Sequence, residues 1–256
     1  YYESTLASVA NSAKGRKAIE NMIRENADGG YTVTFPGDKG NPVTLSKEEL
    51  AKATTNPTQA KWANILEGGF LKYQEAQTGV KKETAYTLAE LLLTGNNQSF
   101  SYQWKDEKSQ LDPLRRRPDN NNEQQAQIDN AKLEDLLGNS TTDGRVITAC
   151  SRPVPQGLGR KIENSDKTDE YYPESGKYHL PGRHGFTVME YDRSTKMVTL
   201  RNPWGADSQG DGAGKGSLDR PGATVDGITN KGNGFVQMSL EAFKKHYYEI
   251  TVTSIR

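Results

Sequence analysis

Near residue 144 the chain switches from helical spacing to strand-like runs, and this bounds its fold more tightly than any single motif. Leu6, Val9, Ala10 and Ala13 recur at helical spacing, and Ile19, Met22 and Ile23 continue the pattern until "ENADGG" breaks it. "TQAKWANILEGGFLKYQEA" (58–76) carries the stripe Trp62, Ile65, Leu66, Phe70 and Tyr73. "ETAYTLAELLLTG" (83–95) reads as a further helix stopped by Gly95. Residues 105–125 read as a polar surface excursion, followed by a helix over about 122–138 with Leu133, Leu136 and Leu137 as its apolar face. Two short strands interrupt this part, "GYTVTFP" (30–36) and "NPVTLS" (41–46), and Ser46 with Glu49 forms a capping box.

Beyond residue 144, "RVITACS" (145–151) is rich in strand formers, as is "YEITVTSI" (248–255). A short helix capped by Ser239, "SLEAFKKHY", precedes the last strand. A polar insert (152–178) and a Gly-rich loop (208–227) lie between. Helices segregated before strands predict an α+β architecture, with a helical part over 1–144 and a β-rich part over 145–256.

The most informative stretch is "HGFTVMEYDRSTKMVTLRNPWG" (184–205). It reads as a β-hairpin with strands from about His184 to Tyr191 and Lys196 to Asn202, joined through "DRST". A turn centred between Arg193 and Ser194 sets His184 opposite Pro203, and a one-residue shift sets it opposite Asn202. Facing Cβ atoms lie about 5 Å apart, so either register brings the two side chains close. Two polar residues at a hairpin mouth can simply be solvated. The alternative is that Asn202 holds the His184 imidazole in one tautomer and orientation, as the third member of a thiol-protease triad does. An indole at Trp204 would then shield their hydrogen bond from water.

Other features narrow the choice. Lys+Arg and Asp+Glu both number 33, so the basic excess of a nucleic-acid binder is missing. "RRR" at 115–117 is too short to change that. No apolar run approaches the length of a membrane span. One cysteine, Cys150, excludes an internal disulfide and a multi-cysteine metal cluster. It stands in a β-type run rather than at a helix start, which favours a buried structural role. His179 reads as a loop residue five positions before His184, and His246, in "KKHYY", as solvated or capping a helix end.

"HGFTVMEYD…MVTLRNPWG" resembles the His and Asn segment of calpain-type cysteine proteases. "LASVA" with "IENMIRENADGGYTVTFPGD" resembles the helix after that family's catalytic Cys and the strand behind it. "WANILEGGFLKYQEAQTG", "AYTLAELLLTG" and "GFVQMSLEAFKKHYYEITV" resemble its Trp-containing helix, its "ALxxLTG" element and its closing "FWMSLEDF" segment. The resemblance spans nearly the whole chain, and "LRNPWG" with a His one hairpin upstream is its specific part. It implies a papain-like two-lobed fold with a cleft between the lobes, a protein or peptide substrate, and His184 and Asn202 as catalytic residues.

In that family the nucleophile opens the first helix, followed by a sequence like "YFLASLASVA"; this chain reads "YYESTLASVA". The resemblance therefore places the catalytic Cys one position before Tyr1, on an upstream segment that also carries the oxyanion-hole Gln. Ser4, Thr5 and Ser8 read as surface or packing residues, and Glu3 departs from the usual apolar type. No cofactor is implied with certainty. Calcium is the candidate, with Asp207, Asp211 and Asp219 near the Gly-rich loop, yet "DSQGDG" lacks an EF-hand's ligand alternation and "ADSQGDGAGKG" replaces the family's second Trp-Gly segment. Two readings stand: an endopeptidase whose Cys lies outside these residues, and a catalytically inactive calpain-like binding or scaffolding module.

Overall fold

The computed structural model describes residues 2–53, 60–76, 85–104, 123–152, 184–203, 221–222, 224–225 and 227–256. Seven helices and twelve strands are found among them, in a mixed α+β arrangement.

Helices α1 (Tyr2–Ala10) and α2 (Ala13–Met22) open the chain. Ser12 caps α2 by accepting from the Gly15 amide at 3.0 Å. Strands β1 (Ile23–Glu25), β2 (Tyr31–Val33) and β3 (Val43–Leu45) form a small antiparallel sheet in that order. The alternation of "YTV" and "VTL" buries Tyr31, Val33, Val43 and Leu45 on one face. Before helix α3 (Lys47–Ala53) the capping box is formed: Glu49 Oε2 accepts from the Ser46 amide at 2.8 Å, and Ser46 Oγ accepts from the Glu49 amide at 3.1 Å. Helix α4 (Lys61–Ala76) buries Ile65, Leu66, Phe70 and Tyr73, but Trp62 of the predicted stripe is exposed. Helix α5 (Ala85–Thr94) ends at Gly95, whose φ of +69° suits the left-handed stop.

The second body is a nine-stranded sheet in the order β5-β4-β12-β6-β7-β8-β11-β10-β9. Its strands are β4 (Ser99–Gln103), β5 (Glu123–Gln127), β6 (Arg145–Ser151), β7 (Gly185–Asp192), β8 (Met197–Arg201), β9 (Thr224–Val225), β10 (Ile228–Gly232), β11 (Phe235–Ser239) and β12 (Tyr247–Ser254). Every pairing is antiparallel except β4 with β5. Helices α6 (Asn130–Gly138) and α7 (Leu240–His246) pack on it, and Trp104, Leu133, Leu137, Ile147, Phe186, Leu200, Met238 and Phe243 share its core. Strand β4 and helix α6 thus pack with the large sheet although they precede residue 144.

The helix expected over 122–138 is a strand followed by a helix. α6 starts only where Asp129 accepts from the Lys132 amide at 2.8 Å. "EQQAQ" pairs parallel to β4 instead, a backbone partner that helix-favouring residue types do not reveal.

The two bodies meet along β6 and β12. Val146 and Ile255 belong to the core under the helices, while Ile147 and Val252 face the other core. Helix α1 lies on this seam. Ser8 Oγ accepts from the Ile147 amide at 2.9 Å, and Asn11 Nδ2 donates to the Met189 carbonyl at 3.1 Å. Leu6 and Val9 are buried beside them, each side chain contributing about 2 kcal/mol. Among the described residues no helix is long and apolar enough to cross a membrane.

Candidate active site

The hairpin positions the site. β7 and β8 pair as Asp192↔Met197, Tyr191↔Val198 and Glu190↔Thr199, then as Val188↔Leu200 and Thr187↔Arg201. Neither register expected from the turn is found. The four-residue connection lies one position later than expected, at 193–196, with Lys196 at φ +54°, and a β-bulge at Met189 shifts the pairing by one. Its cause is packing: Val188 and Tyr191 are three apart, which a regular strand sends to opposite faces, yet both enter the same core. Continuing the register places Phe186 opposite Asn202. His184, two residues from Phe186, lies on the same face and diagonal to Asn202. Were Met189 paired in a regular ladder, Thr187 would face Asn202 and His184 would point to the opposite face.

Across that diagonal His184 Nε2 lies 3.0 Å from Asn202 Oδ1. An amide oxygen only accepts, so Nε2 carries the hydrogen and the neutral ring keeps its lone pair at Nδ1. Asn202 is only 6% exposed, so the bond is protected from water on that side and strengthened by the low local dielectric. The Asn202 amide donates to the Gly234 carbonyl at 2.7 Å, fixing it from the neighbouring strand side. Phe186 meets the imidazole edge to face at 5.0 Å and stands in the same way on Tyr247, which stacks on Phe243. The far end of the hairpin is pinned by Asp192, whose carboxylate accepts from Ser194 and Thr195 and titrates at about 2 because of those bonds.

The first turn of α1 is tied to the strand that follows His184. Ser4 Oγ donates to the Gly185 carbonyl at 2.6 Å, and Thr187 Oγ1 donates to the Ser4 carbonyl at 2.7 Å. Both bonds are buried. They set the positive end of the α1 dipole beside the start of β7. Ser4 and Thr5 are fully buried and Ser8 nearly so, which makes all three packing residues.

Cys150 pairs with Gly185 on β6 and is buried, with Sγ 3.7 Å from the Ser151 carbonyl. Successive residues of a strand point to opposite faces, so Cys150 is directed away from the face that carries His184. His246 is 2% exposed, which corrects the solvated reading: the last turn of α7 is covered by Arg152 and Trp104 as they bond its carbonyls. Trp204, His179, Asp207, Asp211 and Asp219 lie outside the described residues. Among the described residues no group of three or more His, Cys, Asp or Glu is placed to hold a metal ion. Ser151 and Phe186 escaped the sequence reading, because nothing in one sequence links them to His184 before β6 and β7 are paired.

Burial pushes the His184 pKa down to about 4, and the Asn202 bond opposes this only in part. The neutral ring is therefore the form the fold selects. Above the unfolded value near 6.5 both states are neutral and the group is silent. As pH falls from there toward 4 the unfolded chain takes up the proton first, and stability is lost. The loss is expected to reach on the order of 3 kcal/mol, less to the extent that the partly exposed ring edge is solvated. Urea unfolding of the chain and of His184→Gln between pH 7 and 4 checks it: the difference between them should change across that window, and a constant difference would contradict it.

Deleting Met189 should leave the pair in place. Val188 and Glu190 then become neighbours, the pairs Glu190↔Thr199 and Val188↔Leu200 follow one another directly, and Val188 and Tyr191, now two apart, enter the core from one face of a regular strand. Ring-nitrogen NMR should keep the single Nε2–H tautomer of His184. Loss of that signal would contradict the bulged register.

Comparison of the chain with protein-family models and with curated proteins finds no match.

Proposed function

We propose that this chain forms most of a papain-like cysteine endopeptidase core of the calpain type, with its nucleophilic thiol on the segment that precedes Tyr1. The observation that carries the reading is the joint geometry of two elements. His184 Nε2 is held 3.0 Å from Asn202 Oδ1, and the first turn of α1 is bonded to the strand next to that His. A residue attached just before α1 lies at a helix N-terminus, where a thiol pKa is lowered.

Each residue then has a role. His184 Nδ1 takes the thiol proton, and sulfur attacks the peptide carbonyl carbon. The tetrahedral species collapses with cleavage of the C–N bond, and the imidazolium returns its proton to the departing amine. Water, deprotonated by His184, hydrolyses the resulting thioester and releases the acid. Asn202 keeps the ring in the Nε2–H tautomer throughout and stabilises the imidazolium. Trp204 is assigned the shielding of that bond. The α1 N-terminus favours both the thiolate and the oxyanion. Substrates are proteins or peptides. Calcium enters no step.

A fluorogenic-peptide or casein assay on the chain extended upstream tests the proposal. Turnover abolished by iodoacetamide is the expected result. An extended chain that carries the Cys yet shows no turnover would favour a non-catalytic binding module.

A further inference from the structure

We infer that Ser151 is a positioning residue for His184, setting where the imidazole stands by anchoring its main chain; its catalytic consequence rests on the protease reading above. His184 lies one residue before β7, just past the last β6–β7 pair, Cys150↔Gly185. An antiparallel pair at this place would exchange two main-chain hydrogen bonds. One is made, from the Ser151 amide to the His184 carbonyl at 3.0 Å. The other is rebuilt through the side chain: the His184 amide donates to Ser151 Oγ at 3.0 Å. The same hydroxyl lies 3.3 Å from the His184 carbonyl, and Ser151 is fully buried.

Ser151 is itself rigid. The next residue, Arg152, donates from its amide to the His246 carbonyl at 2.9 Å and from its guanidinium to the Lys244 and Lys245 carbonyls at 3.0 Å each. Strand β6 is thus locked to the end of α7, and through Ser151 it locks His184. Asn202 holds the ring at Nε2 and Ser151 holds the backbone. With both ends fixed the direction of Nδ1 is fixed too. If Oγ is removed, the ring can swing about the Asn202 contact. A misplacement of about 1 Å costs about 10²-fold in rate.

The test compares Ser151→Ala, Ser151→Thr and Ser151→Cys. In the chain as it stands, amide exchange and ring-nitrogen NMR report on His184; in the upstream-extended chain, kcat and KM are measured. Ser151→Ala should speed exchange of the His184 amide, move the ring pKa back toward 6.5 and mix its tautomers. In the extended chain kcat should fall on the order of 10- to 100-fold with KM nearly unchanged. Ser151→Thr, which keeps the oxygen, should restore these values. Where Ala fails to fold, the near-isosteric Ser151→Cys replaces it, since sulfur is a weak acceptor and the same shifts are expected. Unchanged His184 exchange, tautomer and pKa in the folded Ala or Cys variant would overturn the inference. An extended wild-type chain without turnover would overturn the protease reading alone, because the NMR arm still decides the role of Ser151.

Discussion

On the protease reading, replacing His184 with Ala in an upstream-extended chain is expected to lower kcat/KM by about 10⁴-fold while leaving the fold intact. The loss is large because one ring does several jobs. In the proposed mechanism it takes the thiol proton, returns it to the leaving amine and activates the hydrolytic water. None of the described neighbours can take over: Ser151, Phe186 and Asn202 carry no basic side chain. The fold should persist because His184 precedes β7 and is only half-buried, meeting the core at its edge against Phe186. Strands β6, β7 and β8 keep their register through Ala149↔Phe186, Thr148↔Thr187 and Val188↔Leu200. Peptide hydrolysis with circular dichroism alongside checks both halves. A folded variant with undiminished turnover would remove His184 from the mechanism.

The 256 residues by themselves are expected to hydrolyse no peptide at all. Their one thiol, Cys150, is buried on a central strand and directed away from the His184 face. His184 and Asn202 can orient and carry a proton but cannot form an acyl-enzyme. Cys150→Ala should therefore leave turnover of the extended chain unchanged within about twofold and cost only the stability of a small buried side chain, about 1 kcal/mol. Robust, alkylation-sensitive hydrolysis by the 256 residues alone would point back to Cys150.

Legibility in the sequence followed the range of the interactions. The hairpin, the small sheet 31–45, the capping box at Ser46 and the stop at Gly95 are local and could be read directly. The approach of His184 to Asn202 was foreseen because one hairpin carries both. Its register was not. The bulge at Met189 exists because Val188 and Tyr191 both reach the core, and that depends on strands distant in sequence. "EQQAQ" failed for the same reason, since its partner is the remote strand β4. The anchoring of His184 by Ser151 and the burial of His246 also arise only when β6, β7, β12 and α7 come together. The Trp62 reading failed differently: periodicity marks one face of a helix but not whether another element covers each position on it.

The central claim is that the His184–Asn202 pair serves a thiol delivered to the start of α1. It is tested most directly by treating the upstream-extended chain with an epoxysuccinyl peptide and mapping the adduct by mass spectrometry. The account predicts one fast adduct, on a cysteine immediately preceding Tyr1, with its rate lost in His184→Ala and kept in Cys150→Ala. An adduct on Cys150, or a labelling rate indifferent to His184, would contradict it.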